Sequence, residues 1–387
     1  MLSNVLVPHP PPPHPQTPSF VLSRPDRHVV TTGVNASFDD VAAAQRALSA
    51  RRHRWLVGAL PFDLRDPAAL IAPETLNCET GPWRPPTIGG HDRVVTIDRA
   101  DPQPADHRRR VADIVAELRG NPAMEKVVLA RKLLLRCDSA ISAHDLAARL
   151  CAADPGGNAF LTDLSPAGAD RDGHHLVGAS PEVLVRKEGR VVTCHPLAGS
   201  AARDVDPVQD AHRRDLLAIS GKDRHEHRLV VDAIRAVLTP LCTDLRVPAE
   251  PTMVATPAMW HLGTPIRGVV DDPDLTALDL ALALHPTPAV CGTPTGAARD
   301  LIREVEGDRG FYAGAVGWTD ASGDGEWMVA IRCAEIDGDG RGVTTWAGGG
   351  IVAASDPDDE LRETESKFRT ILDALDVADD TASSPVG

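Results

Sequence analysis

The sequence predicts an α+β layered domain. Strand-like runs arrive in clusters, each broken by a single helical segment, which fits layered sheets with flanking helices better than a parallel βαβ series. The chain has 387 residues, 42% of them apolar and 25% charged, which is ordinary globular usage with material for a large core. That composition excludes a wholly disordered, collagenous or coiled-coil chain.

Along the chain, the first signal is His9-Pro10-Pro11-Pro12-Pro13-His14-Pro15. It can build neither helix nor central strand, so residues 1–18 are expected to be a disordered arm. Segments 20–22, 55–60 and 94–97 read as strands. Segment 108–118 reads as a helix, with Val111, Ile114, Val115 and Leu118 at helical spacing. Segment 127–135 is β-rich and 143–151 is helical. Segments 176–178, 183–186 and 191–195 suggest a meander with Gly turns. Pro-rich stretches at Pro85-Pro86 and 102–104 read as loops. Residues 204–237 read as helix in two or more pieces. A second strand run covers 315–319, 327–336 and 342–347, and 358–375 is a strong C-terminal helix. The small polar stretch 378–387 reads as a disordered tail. One catalytic domain is therefore expected over 19–377.

Forty Lys and Arg face 55 Asp and Glu, a net charge of −15, and only five of the basic residues are Lys. This argues against nucleic acid or an anionic membrane as partner, but leaves room for a local basic pocket. The seven cysteines are an odd number without a C-x-x-C pair, so buried free thiols in a reducing compartment are expected. No apolar run approaches the roughly 18 residues of a membrane span, and the N-terminus lacks a secretory pattern. A cytoplasmic protein is expected.

Three constellations carry chemistry. In Gly221-Lys222-Asp223-Arg224-His225-Glu226-His227-Arg228, Glu226 falls on the apolar stripe of Val230, Ala233, Ile234 and Val237. It is either a first-turn Glu favoured by the helix dipole or a metal ligand. His225 and His227 are two apart and diverge, which makes a poor chelate. In the second, Glu360, Glu363 and Lys367 share one helical face beside Leu361, Phe368, Leu372 and Leu375. The face is either a solvated ion-pair row or a carboxylate pair that shares a cation with Glu226. Magnesium would suit it, since that ion accepts a few carboxylates and keeps waters. In the third, Lys126 opens an apolar strand, where desolvation would favour its neutral, basic form. Glu182 in Gly178-Ala179-Ser180-Pro181-Glu182 has the converse possibility of acting as an acid.

Taken in order, these motifs resemble a known family. Lys126-Val127-Val128-Leu129-Ala130-Arg131, Gly178-Ala179-Ser180-Pro181-Glu182, Pro196-Leu197-Ala198-Gly199-Ser200-Ala201 and Lys222-Asp223-Arg224-His225-Glu226-His227 come first. Met259-Trp260-His261-Leu262, His285-Pro286-Thr287-Pro288-Ala289, Gly325-Glu326-Trp327, Ile331-Arg332-Cys333-Ala334, the glycine loop after Ala347, and Arg362-Glu363-Thr364 follow. The chain resembles the isochorismate synthases of the chorismate-binding enzymes, over roughly 20–375.

That resemblance implies a single large α+β domain in which two β-sheets and flanking helices enclose a deep cleft. It implies magnesium-dependent conversion of chorismate to isochorismate, with water attacking C2 and the C4 hydroxyl leaving. Lys126 would activate the water and Glu182 would protonate the leaving hydroxyl. Glu226 and Glu363 would bind magnesium, with Glu360 acting through water. Arg332 and Lys367 would bind the substrate's carboxylates, with backbone donors from Gly199, Ser200 and Gly348. Chorismate is the only expected partner, the protein acting as a monomer without a glutaminase subunit. The product would feed a catechol siderophore, menaquinone, salicylate or another metabolite. The rival is a salicylate synthase, which also eliminates pyruvate. Arg228, Val290-Cys291 and Gly349 depart from the family pattern without removing a catalytic group.

Overall fold

The computed structural model describes residues 18–85 and 93–377. The expected arm (apart from Pro18), the tail 378–387 and Pro86 of the expected loop lie outside the described residues.

Among the described residues, two large antiparallel sheets face each other. The first has ten strands. Its order runs Gly292–Thr293, Lys126–Cys137, Gly342–Ile351, Cys333–Ile336, His175–Gly178, Ala159–Asp163, Phe20–Ser23, Arg27–Thr32, Thr75–Thr80, and Val95–Asp101 also pairs with Lys126–Cys137. The second has nine, in the order Cys242–Arg246, Ile266–Val270, Val191–His195, Val183–Glu188, Gly325–Val329, Ala315–Asp320, Trp55–Leu60, Ala69–Ala72, Ala36–Phe38. A further three-stranded sheet, Leu197–Ala202, Met259–Gly263 and Thr252–Ala255, adds to the two that were expected.

Strand alternation decides which core each residue joins. Phe20 and Leu22 enter a large apolar cluster that takes residues from both sheets, among them Leu56, Leu60 and Trp327. Val21 points the other way and packs with Leu161, Val177 and Ala334 beneath two helices, Ala143–Ala153 and Pro357–Ala374. The first sheet is therefore apolar on both faces, which is why its strands read as near-continuous hydrophobic runs.

Two expected elements are split, and both splits matter. The expected strand 327–336 is two strands in different sheets, Gly325–Val329 and Cys333–Ile336. Between them Arg332 adopts a φ of +52°, a left-handed conformation that ends an extended run. The expected meander over 176–195 is likewise divided. His175–Gly178 lies in the first sheet, and the hairpin of Val183–Glu188 with Val191–His195 lies in the second. The chain thus passes between the two large sheets at 179–182 and again at 330–332.

The expected helices 108–118 and 358–375 are Pro104–Gly120 and Pro357–Ala374. The helical region 204–237 is two helices, Pro207–Ile219 and Gly221–Leu238, divided at Ser220. Ser220 caps the second by accepting from the Asp223 amide. Six of the cysteines are buried as expected, but Cys78 is exposed, because it lies on the edge strand Thr75–Thr80. Among the described residues no helix is long and apolar enough to cross a membrane.

Leu161 sits on a central strand between Val21 and Val177 and is fully buried. Leu161→Ala should lower unfolding stability by about 2–5 kcal/mol, the usual range for a buried leucine. Urea unfolding with an unchanged midpoint would show that this layer does not contribute as described.

Candidate active site

Lys126 is the first residue of Lys126–Cys137, and Val127 and Val128 pair with Ile351 and Gly350 on the neighbouring strand. Its side chain is fully buried. Its Nζ lies 2.8 Å from Glu226 Oε1, yet no acceptor meets hydrogen-bond geometry. Glu226 is held by the helix Gly221–Leu238, and its burial follows from the apolar stripe it shares with Val230 and Ile234. Gly350 makes the approach possible: a Cβ there would stand 2.0 Å from Glu226 Oε1 and 2.8 Å from Lys126 Cε.

The C-terminal helix brings the other two acids. Glu360 is buried and accepts from Lys222 Nζ at 2.5 Å on Oε1, while its Oε2 has no hydrogen-bond partner. Glu363 accepts from Ser200 Oγ at 2.5 Å and faces Lys367 Nζ at 2.7 Å, both on Oε1. Lys367 also donates to the Gly348 carbonyl at 2.7 Å. Burial and the neighbouring Glu363 raise the Glu360 pKa against the pull of Lys222 and of the Ser355 hydroxyl. Burial acts on Glu363 in the same sense, but Lys367 and Ser200 outweigh it and hold that carboxyl below the usual range.

Three lysines thus match three carboxylates: Lys126 with Glu226, Lys222 with Glu360, Lys367 with Glu363. These acids are the oxygen donors that could hold a divalent cation. The set fits magnesium in kind: it is all hard oxygen, and Glu360 Oε2 is buried and unused. It is not a preformed cage, since among the described residues no three His, Cys, Asp or Glu are gathered closely enough. His227 is neutralised by burial, its pKa down to about 4, and meets Thr264, while His225 meets Arg228. The two histidines do diverge.

Glu182 and Arg332 come from the two passages between sheets. Glu182 is buried, and desolvation pushes its pKa up to about 8, against the backbone amide of Leu197 and the charges of Lys126, Lys367 and Arg332. It is therefore mostly protonated at neutral pH. Arg332 is buried as well. Desolvation brings it down to about 10, still charged, and its Nη2 lies 3.4 Å from His261 Nε2. Glu182, Gly199, Ser200, Glu226, Arg332, Gly348, Glu363 and Lys367 all line one cavity. Lys126 and Glu360 lie outside that lining, Lys126 behind Glu226 and Glu360 beneath Gly349.

Tyr312, Trp346, His261 and Val290 line the same cavity; the sequence gave Tyr312 and Trp346 no role, His261 only a place in a motif, and Val290 a place among the departures that bear on pocket shape. Tyr312 and Trp346 stack with centroids 5.7 Å apart. A signal existed for two omitted residues: Tyr312 is the only tyrosine, and Lys222 is one of only five lysines.

The model of the chorismate binding enzyme family matches residues 86–376. The chain belongs to that family. DhbC of Bacillus subtilis, named as an isochorismate synthase, is 42% identical over 87% of this chain and 84% of its own. EntC of Escherichia coli K12, also named as an isochorismate synthase, is 37% identical over 92% and 94%. Among solved structures, DhbC of Bacillus anthracis superposes with a TM-score of 0.85 at 36% identity, covering 93% of this chain and 96% of that one. Anthranilate synthase component I of Streptococcus pneumoniae shares the fold at a TM-score of 0.68 and 20% identity. The chorismate binding family thus extends over the strands and helices that build the cavity.

Gly350→Ala tests the geometry directly. The new Cβ would overlap Glu226 Oε1, which sits at the flexible end of a side chain and can be pushed aside. Stability should fall by about 1–3 kcal/mol, the usual cost of overpacking a buried site, while turnover falls at least about a hundredfold. Thermal unfolding beside steady-state turnover checks both; full activity would mean that Glu226 need not stay where it is.

Proposed function

We propose that this protein is an isochorismate synthase, adding water to chorismate at ring carbon 2 while the double bonds shift and the 4-hydroxyl leaves. One observation carries the reading. A protonated carboxylic acid, Glu182, shares a buried cavity with Arg332 and Lys367, with a buried lysine, Lys126, behind the Glu226 wall. Chorismate is a dianion, and a net-acidic protein needs localised cations to hold it. The relatives named as isochorismate synthases support the same reading.

Arg332 offers a planar fork that can hold one substrate carboxylate with two parallel hydrogen bonds. Lys367 supplies a second cation, and Gly199, Ser200 and Gly348 bring backbone donors to the same wall. Lys126, in its neutral form, accepts a proton from the attacking water. Glu182 gives its proton to the departing hydroxyl oxygen, so that water rather than hydroxide leaves. Each proton transfer typically contributes about 10²–10⁴-fold. Glu226 and Glu363 would hold magnesium, with Glu360 acting through a water. Magnesium, when bound, supplies the positive charge opposite the ring carboxylate. Burial of Glu182 and Arg332 limits their contact with bulk water and strengthens the electrostatic interactions there. As proposed here, the protein acts as a monomer on a cytoplasmic metabolite. It uses water rather than ammonia and requires no glutaminase.

Product analysis with magnesium should show isochorismate without salicylate or pyruvate; rapid salicylate formation would support the lyase instead. Glu226→Ala and Glu363→Ala should each abolish turnover with the fold intact, and EDTA should inactivate the wild type reversibly. Full activity in exhaustively metal-free buffer would remove the magnesium assignment.

Lys126→Gln and Glu182→Gln should each lower kcat by about 10² or more with chorismate still bound. The pH profile separates them. Glu182 acts as an acid only while protonated, and its pKa is about 8, so kcat/KM should fall as pH rises through about 8. That limb should vanish in Glu182→Gln. A wild-type profile flat to pH 10 would contradict the role of Glu182.

A further inference from the structure

Three lysines reach the site, and the chemistry above uses two. Lys222 lies outside the cavity lining. It sits in the first turn of the helix Gly221–Leu238, four residues before Glu226, so the two side chains leave the same helical face. From there its Nζ crosses to Glu360 Oε1 at 2.5 Å on the C-terminal helix. The contact joins the two helices that carry the acids.

What Lys222 does to Glu360 is visible in the other carboxylate oxygen. Glu360 Oε2 is buried without a hydrogen-bond partner. A Cβ on Gly349 would stand 2.9 Å from that oxygen and 3.4 Å from Glu363 Oε2. Glu363 shows the same arrangement, with Lys367 and Ser200 on its Oε1. In both residues a lysine occupies Oε1, and Oε2 faces the gap beside Gly349. A buried ion pair with one good contact holds a carboxylate in a single orientation. Removing the lysine would leave a buried, unpaired charge, and such a group leaves its place.

We propose that Lys222 is a positioning residue for the divalent cation: by binding Glu360 Oε1 it aims Glu360 Oε2 at the metal gap and sets the distance between the two ligand-bearing helices. The inference rests on the assignment of Glu226, Glu360 and Glu363 to magnesium. Lys222 also repels a cation, and this opposes the effect. Orientation outweighs it, because Lys222 is already neutralised by Glu360, whereas a displaced Glu360 removes an oxygen from the site.

Calorimetric titration of metal-free full-length protein with magnesium chloride, without chorismate, tests this. Lys222→Met should bind magnesium about tenfold or more weakly than wild type, the usual effect of losing a group that orients a ligand. Lys222→Arg, which keeps the charge and reach, should recover part of the loss. In turnover assays Lys222→Met should need more magnesium for half-activation, while kcat at saturating magnesium returns to within about threefold of wild type, since Lys222 acts only through Glu360 and the cation. A purely structural lesion would lower kcat at every magnesium concentration. If Lys222→Met does not fold, Lys222→Gln is held to the same tenfold criterion. Equal or tighter magnesium binding in the neutral variant overturns the proposal while the metal assignment stands. A wild type and variants that all fail to bind magnesium overturn the metal assignment and the proposal together.

Discussion

The site depends on matching buried carboxylates with buried cations. Glu226, Glu360 and Glu363 are held in a protein interior where an isolated ionised acid would be very costly. Each is tolerated because a lysine ends beside it. The lysines come from three places far apart in sequence: a strand start, a helix first turn and the C-terminal helix. The pairing thus locks together the first sheet and two helices. The three pairs cancel in charge, so in a protein of net charge −15 the cation that remains for an anionic ligand on the cavity wall, among the described residues, is Arg332.

The second constraint is the passage between sheets. At 179–182 and 330–332 the chain leaves one sheet and enters the other, and the two groups placed there are Glu182 and Arg332. A crossover presents its side chains to the space between layers, where water is scarce. The same burial raises the pKa of Glu182 and lowers that of Arg332. The positive φ of Arg332 is a cost, roughly 1–2 kcal/mol for an L-residue, accepted where the side chain must turn into the cavity.

Glycine supplies the remaining room. At Gly350 and Gly349 the backbone of Gly342–Ile351 comes so close to Glu226, Glu360 and Glu363 that a side chain would displace a carboxylate oxygen or crowd it. The acids converge because the strand opposite them has nothing to place in the gap.

Much was legible in the residues themselves. Helical spacing at Val111, Ile114, Val115 and Leu118, and the apolar stripe carrying Glu226, are local periodicities, and local periodicity survives into the fold. Ordered motifs likewise pointed to Lys126, Glu182, Arg332 and the acids. What the sequence could not fix was anything set by contacts between distant segments. It did not show that 327–336 would break into two sheets, because extended residues look alike whichever sheet they join. It did not show a third sheet or the aromatic wall of Tyr312 and Trp346. Nor did it single out Lys222, whose meaning lies in an ion pair 138 residues away in the chain. Residue type and spacing determine which groups are available and which face of an element they occupy. Which carboxylate each lysine meets, and therefore which oxygen is left free, is decided only when the sheets and helices pack, because desolvation and charge pairing act through space and not along the chain.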